Sequence, residues 1–198
     1  MTGIVLIAAG ESRRLGAPKQ LLPWAGYTLL RHAALTALEA DLGPVAVVLG
    51  SNEATCRAAL EGLPLEISHN PDWPSGMGGS IAAGVRALQG NSLEAVIVML
   101  CDQPFVTATT LRELKGEWRR GGCEVVATQA GEILGPPALF SSERFHRLLE
   151  LHGHQGARSI LRDDPSLRCI EFPEAAIDVD TAADWQRATA QIALQTPA

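Results

Sequence analysis

The segment Ala8-Ala9-Gly10-Glu11-Ser12-Arg13-Arg14-Leu15-Gly16-Ala17-Pro18-Lys19 collects the residue types that hold an anion. Gly10 and Gly16 let the backbone turn tightly and offer N–H groups, Ser12 adds a hydroxyl, and Arg14 and Lys19 can grip phosphate oxygens. The chain has two lysines, Lys19 and Lys115, so Lys19 is distinctive. The spacing is not that of a P-loop, because Lys19 is followed by Gln20 where Ser or Thr would be needed. There is no G-x-G-x-x-G at this turn, so an NAD-binding dehydrogenase fits least well. Taken alone, the segment also fits an ordinary exposed strand-to-helix turn with solvated charges.

A second chemical group is Asp102, which directly follows the apolar run 95–101. At the carboxyl end of a strand in an open α/β sheet it would stand where the crevice opens, well placed to hold Mg²⁺. Mg²⁺ takes hard oxygen ligands, usually one or two carboxylates with phosphates and waters, so one further carboxylate suffices. Asp180 is assigned that part, with Asp178 behind it. Asp102 equally fits a turn cap before Pro104, and Asp180 or Thr181 fits the N-cap of a last helix whose first turn includes Asp184. The glycine-rich run Gly76-Met77-Gly78-Gly79-Ser80 reads either as a pocket wall or as a flexible turn before a helix starting near Ile81. Trp73 lies close enough to that run to line a pocket. His146, His152 and His154 match no zinc spacing.

The elements that must position these groups follow from patterning. Residues 4–9, 45–49 and 95–101 are near-continuous apolar runs rich in β-branched residues, expected for interior strands of a parallel sheet. Helical stripes occupy 28–40, 52–60, 81–88, 107–120 and 181–195, and further strands are read at 65–69, 124–128 and 167–172. The expected fold is α/β: one doubly wound, mostly parallel sheet with helices on both faces, forming a single domain over 1–198. With 46% hydrophobic and 19% charged residues, composition argues against disorder and coiled coil. A net charge of −6 makes nucleic acid a poor partner. Cys56, Cys101, Cys123 and Cys169 form no C-x-x-C and read as reduced, mostly buried thiols. The first apolar run is too short to span a bilayer, so a cytoplasmic protein with no membrane partner is expected.

Several motifs recur together. Ile7-Ala8-Ala9-Gly10-x-Ser12-x-Arg14-Leu15-Gly16-x-x-Lys19 is continued by Leu21-Leu22-Pro23-Trp24. Then come His69-Asn70-Pro71-Asp72-Trp73 with Gly76 and Ser80, Asp102-Gln103-Pro104, and Asp178-Val179-Asp180-Thr181-x-x-Asp184. This ordered set resembles the molybdenum cofactor nucleotidyltransferases, especially their cytidylyltransferase branch, over nearly the whole chain. The resemblance implies a Rossmann-like nucleotidyltransferase fold. The implied reaction is Mg²⁺-dependent transfer of CMP from CTP to the phosphate of molybdopterin cofactor, forming the cytosine dinucleotide cofactor with release of pyrophosphate. It assigns catalysis to Arg14, Lys19 and Asp102, metal binding to Asp102 and Asp180, and nucleotide binding to Ala8, Ala9, Gly10, Ser12, Arg14, Lys19, Asn70, Gly79 and Ser80. It also implies delivery of the product to a molybdoenzyme or its chaperone. The guanosine branch tends to carry glycine in place of Ala9, whose methyl could narrow the pocket against a purine.

On the acceptor side the chain departs from the family pattern. It has Gly135-Pro136-Pro137 where His usually stands between Gly and Pro, and Gly153-His154-Gln155-Gly156-Ala157-Arg158 where an acidic residue commonly follows glycine. Arg158 could meet an acceptor phosphate or serve as a solvated surface residue. Two other readings therefore stand: a nucleotidyltransferase for another phosphorylated small molecule such as a sugar or polyol phosphate, or a non-catalytic nucleotide- or cofactor-binding protein.

Overall fold

The computed structural model describes residues 1–195; the last three positions of the expected 1–198 domain lie outside the described residues. In chain order the elements are β1 (Thr2–Ala8), β2 (Pro23–Trp24), β3 (Tyr27–Thr28), α1 (Leu29–Glu39), β4 (Val45–Leu49), α2 (Glu53–Ala59), β5 (Glu66–His69) and α3 (Met77–Ala87). There follow β6 (Ala95–Leu100), α4 (Ala108–Arg119), β7 (Val125–Ala130), β8 (Ile133–Ser141), α5 (Phe145–Leu149), α6 (Arg158–Asp163), β9 (Arg168–Glu171) and α7 (Ala182–Gln195). No helix is long and apolar enough to cross a membrane among the described residues.

Seven strands form one sheet in the order β5-β4-β1-β6-β8-β7-β9, and β2 and β3 make a separate two-stranded ribbon. The pairs β5·β4, β4·β1 and β1·β6 are parallel, β6·β8 and β8·β7 are antiparallel, and β7·β9 is parallel. The mostly parallel α/β sheet expected from the apolar runs is present, and β1, β4 and β6 are buried because helices cover both faces.

The alternation along each strand divides the core in two. Ile4, Leu6, Val47, Leu49, Ile97 and Met99 pack with α1, α2 and α4 residues on one face. Val5, Ile7, Val48, Val96 and Val98 pack with α3, α5 and α6 residues on the other. A third cluster joins Trp24 and Leu29 to Val179 and Ala188 and so docks α7 beside the first loop. Cys56, Cys101 and Cys123 are buried and Cys169 is exposed on the outer strand β9, all four free.

Strand β8 is absent from the sequence reading because Gly135-Pro136-Pro137 looks like a turn. Its ladder explains how prolines are tolerated. Pairing with β7 passes from Ala127↔Ala138 to Thr128↔Gly135, so Pro136 and Pro137 occupy a bulge and face no partner that needs a backbone donor. Pairing with β6 begins at Ala138 and ends at Ser141. The helix expected from Ile81 instead starts at Met77. Glycine has low helix propensity, but here it is required by packing: a Cβ on Gly78 would lie 2.6 Å from the Gln155 carbonyl and from the His152 nitrogen. Gly78 N–H also donates to the Gly153 carbonyl at 3.0 Å, so α3 is joined to the 152–156 loop main chain to main chain.

Candidate active site

The first loop leaves the carboxyl end of β1 and is shaped from within. Ser12 has φ 61° and Gly16 φ 75°, left-handed conformations that fold the chain back on itself. The Ser12 hydroxyl accepts from the Lys19 backbone N–H at 3.0 Å. Gln20 is fully buried, and its amide donates to the carbonyls of Ala8 at 3.0 Å and Gly10 at 2.6 Å. One side chain thus ties the end of the loop to its start. The sequence reading registers Gln20 only as the residue that breaks the P-loop pattern; a buried amide inside the single helical turn Lys19–Leu21 has no signature in the sequence.

From this loop Lys19 reaches two carboxylates. Its ammonium lies 2.5 Å from Asp102 Oδ2 and 2.8 Å from Asp180 Oδ1. Arg14 donates to the other oxygen of Asp180 at 2.6 Å. Asp102 is held at the end of β6, where the Cys101 N–H donates to the Ile7 carbonyl and the Asp102 carbonyl accepts from Val179. Asp180 is available because it does not cap α7. Thr181 takes that part: its hydroxyl accepts from the Asp184 N–H at 3.2 Å, and Asp184 returns a carboxylate oxygen to the Thr181 N–H at 2.8 Å. The open choice between Asp180 and Thr181 is therefore resolved in favour of Thr181.

The charges are tightly balanced. Burial opposes the Lys19 ammonium, but Asp102 and then Asp180 outweigh it and hold its pKa above the usual lysine range. Asp178, half-buried beside them, is pushed up to about 6 by burial and by the negative charge of Asp102 and Asp180. Asp102 Oδ1 and Asp178 Oδ1 are buried with no hydrogen-bond partner among the described residues. Free lone pairs on hard carboxylate oxygens are what Mg²⁺ prefers, so these residues fit a divalent cation. Among the described residues no group of three or more His, Cys, Asp or Glu is gathered as a metal cluster.

Two clefts adjoin at Met77, and only one of them reaches the charged cluster. One, of about 310 Å³, is lined by Ile7, Ala9, Gly10, Glu11, Ser12, Arg13, Trp73, Pro74, Gly76, Met77 and Ser80. The other, of about 350 Å³, is lined by Arg14, Lys19, Asp102, Asp178 and Asp180 at its charged end, and by Met77, Ile81, Val98, Leu100, Pro136, Ala138, Ala157, Leu161 and Arg158 elsewhere. Met77 belongs to both.

Of the residues assigned to the nucleotide, Ala9, Gly10, Ser12 and Ser80 line the first cleft, while Arg14 and Lys19 line the second. Ala8, Asn70 and Gly79 line neither. The Ala8 carbonyl is taken by Gln20. The Asn70 side chain braces its surroundings, donating to Ser80 Oγ at 3.0 Å and accepting from the Asp72 N–H at 3.1 Å. Gly79 sits against that amide, 3.4 Å from a would-be Cβ. Trp73 lines the cleft, as its position suggests, and packs over Gly50, where a Cβ would come within 2.7 Å of it.

Residues 4–169 match a family described as the MobA-like NTP transferase domain. The chain is 38% identical to nicotine blue oxidoreductase of Paenarthrobacter nicotinovorans, over 92% of this chain and 94% of that protein. It is 28% identical to the molybdenum cofactor cytidylyltransferase of Escherichia coli, over 91% and 92% respectively. Among solved structures, Rv0371C of Mycobacterium tuberculosis in complex with manganese superposes with a TM-score of 0.75 at 28% identity, covering 94% of this chain and 96% of that one.

Proposed function

Because the chain belongs to the MobA-like NTP transferase family, we propose that it is a nucleotidyltransferase that moves CMP from CTP to the phosphate of molybdopterin cofactor and releases pyrophosphate, acting as one catalytic domain. One observation carries this reading: a cation from the first loop, a carboxylate from the end of β6 and a carboxylate from the start of α7 converge at Lys19, with contacts of 2.5 and 2.8 Å. The family membership supports reading that convergence as a centre for triphosphate chemistry, and the E. coli relative's name supports the cofactor acceptor.

The reaction needs little acid–base help. A phosphate monoester acceptor has a second pKa of about 6 and is already largely dianionic near neutrality. Its oxygen attacks the α-phosphorus of the nucleotide, the bond to the β-phosphate bridging oxygen breaks, and pyrophosphate leaves with that electron pair. Lys19 and Arg14 neutralise the triphosphate and the departing pyrophosphate, which otherwise repel the incoming dianion. The first loop, held by Ser12 and Gln20, keeps those cations in position in advance, so reactants meet already oriented. Asp102 and Asp180, with Asp178 beside them, would hold Mg²⁺, which supplies charge neutralisation on phosphate oxygens when bound. The manganese complex of the mycobacterial neighbour supports a divalent ion at a fold of this kind. Ala9, at the wall of the first cleft, places a methyl where a purine would need more room than a pyrimidine.

The test is pyrophosphate release with each NTP in the presence of Mg²⁺ and molybdopterin cofactor. CTP-dependent release that disappears in Lys19→Ala and Asp102→Ala is the expected result. No NTP preference, together with unchanged nucleotide binding in both variants, overturns the proposal. A second reading rests on the Paenarthrobacter relative, which is named an oxidoreductase. It puts an electron carrier in place of the NTP, and oxidation of reduced nicotinamide without pyrophosphate release would select it.

A further inference from the structure

Gln103 stands between Asp102 and Pro104 and is 4% exposed, a polar side chain buried beside the charged cluster without lining either cleft. Its Nε2 donates to the carbonyl of Pro136 at 3.0 Å and reaches that of Ala175 at 3.4 Å. Two carbonyl partners fix which end of the amide is the nitrogen. Pro136 lies in the interval that the β7 ladder skips, and Ala175 lies in the short turn Pro173–Ala176 that precedes Asp178. The main chain adds a second tie, because the Val179 N–H donates to the Asp102 carbonyl at 2.9 Å. Residues 102 and 103 therefore hold the chain on both sides of Asp178, by a side chain at 175 and by a peptide group at 179. Asp180 follows directly, with its carboxylate on Lys19 and Arg14.

We infer that Gln103 is a positioning residue: its amide fixes where the Asp178–Asp180 segment stands relative to Asp102, and so sets the affinity for a divalent cation without touching the nucleotide. This deepens the proposed function and rests on it for the identity of the cation site. Carboxylates that are to share a cation repel one another until it arrives, so their spacing must be enforced from outside. Asp102 and the Asp178–Asp180 segment come from distant parts of the chain, and residues 177–180 belong to no helix or strand that could resist the repulsion. Burial and the charge of Asp102 push the Asp178 pKa up to about 6, with the Gln103 amide opposing the rise, which puts these three groups within reach of one another. A neutral amide suits the strut: it donates to both carbonyls and adds no charge that would compete with the cation for the carboxylates, as a lysine or arginine in its place would.

The experiment compares the full chain with its Gln103→Leu variant. Mn²⁺ affinity, read from the electron paramagnetic resonance signal of the free ion, is expected to weaken at least about tenfold, the usual effect of losing a group that orients metal ligands. CTP affinity measured without metal is expected to stay within roughly twofold, because the first loop is untouched. Hydrogen exchange is expected to quicken in peptides covering 133–139 and 173–181 and to stay unchanged in β1 and β4. Turnover is expected to fall at limiting Mg²⁺ and to recover at saturating Mg²⁺ with the KM for CTP unaltered, a rescue that a variant merely less stable does not show. Should Gln103→Leu fail to fold, Gln103→Asn, which keeps the amide and shortens its reach, is measured instead with the same directions expected. Mn²⁺ affinity within roughly twofold of the wild type, CTP affinity falling as far as Mn²⁺ affinity, or exchange quickening alike in every strand overturns the inference. A wild type that binds neither Mn²⁺ nor CTP sinks the proposed function; local quickening at 173–181 in the variant then still establishes Gln103 as the strut, and its absence removes that as well.

Discussion

Replacing Lys19 by Met keeps the length and apolar stem of the side chain and removes its charge, leaving the carboxylates of Asp102, Asp178 and Asp180 facing one another. The side chains of Lys19, Asp102 and Asp180 are 13%, 12% and 31% exposed, so the cluster is neither dry nor fully solvated. At the 2.8 Å of the Asp180 contact, an effective dielectric of about 20 gives roughly 6 kcal/mol of gross attraction. Desolvation cancels much of this, and breaking fully buried pairs costs about 3–5 kcal/mol, so a partly exposed cluster should lose about 2–3 kcal/mol. Urea unfolding at pH 7 would read that loss directly. Mg²⁺ should stabilise the variant more than the wild type, because the ammonium no longer competes for the same oxygens. Pyrophosphate release should fall at least a hundredfold, the equivalent of about 3 kcal/mol of barrier. A variant as stable as the wild type, equally indifferent to Mg²⁺ and still turning over, would refute the reasoning at its root.

Gln20→Met strands the Ala8 and Gly10 carbonyls, so about 1–3 kcal/mol of stability should be lost in denaturant titration, and nucleotide affinity should weaken as the loop slackens. Gly78→Ala would favour the helix by about 1 kcal/mol were propensity decisive. The 2.6 Å approach of the 152–156 main chain predicts the opposite sign, a lowered melting temperature, with both clefts distorted. At Asp164, burial favours the neutral acid, but Arg144 and Ser166 more than offset it and hold the pKa near 2. The folded pKa is depressed, so this carboxylate's stabilisation is complete above about pH 4 and is lost as pH falls toward 2. Asp164→Asn should therefore be less stable than the wild type at pH 7, with the gap closing in acid, as followed by unfolding curves between pH 2 and 7.

Much of the fold was legible because β1, β4 and β6 are apolar on both faces, and only a doubly covered parallel sheet buries such runs. The cationic loop and Asp102 were legible for a related reason: charge adjoining a buried strand marks where the sheet ends. What escaped reading depends on partners distant in sequence. Strand β8 hides behind Gly135-Pro136-Pro137, because a bulge excuses the missing donors only once β7 and β6 are beside it. The first turn of α3 hides behind glycines whose reason is the approach of His152 and Gln155. The resemblance assigns Asn70 to base recognition, and what its residue type alone could not show is that its amide also braces Ser80 and the Asp72 N–H.

The seam between α3 and the 152–156 loop is built from peptide groups, with Gly76 and Gly78 admitting the carbonyls of Gly153 and Gln155. A Cβ at either glycine would strike the opposing main chain, so at those two positions the partition changes only by being disrupted. Descendants of this sequence that acquire new substrates would keep that partition and diversify beside it, at Met77 where the two chambers touch and at Ala157 and Arg158 on the rim. Fold retention and chemical drift would then fall on adjacent residues of one polypeptide, and a library randomised at the two exposed positions, Met77 and Arg158, would explore specificity without entering the core.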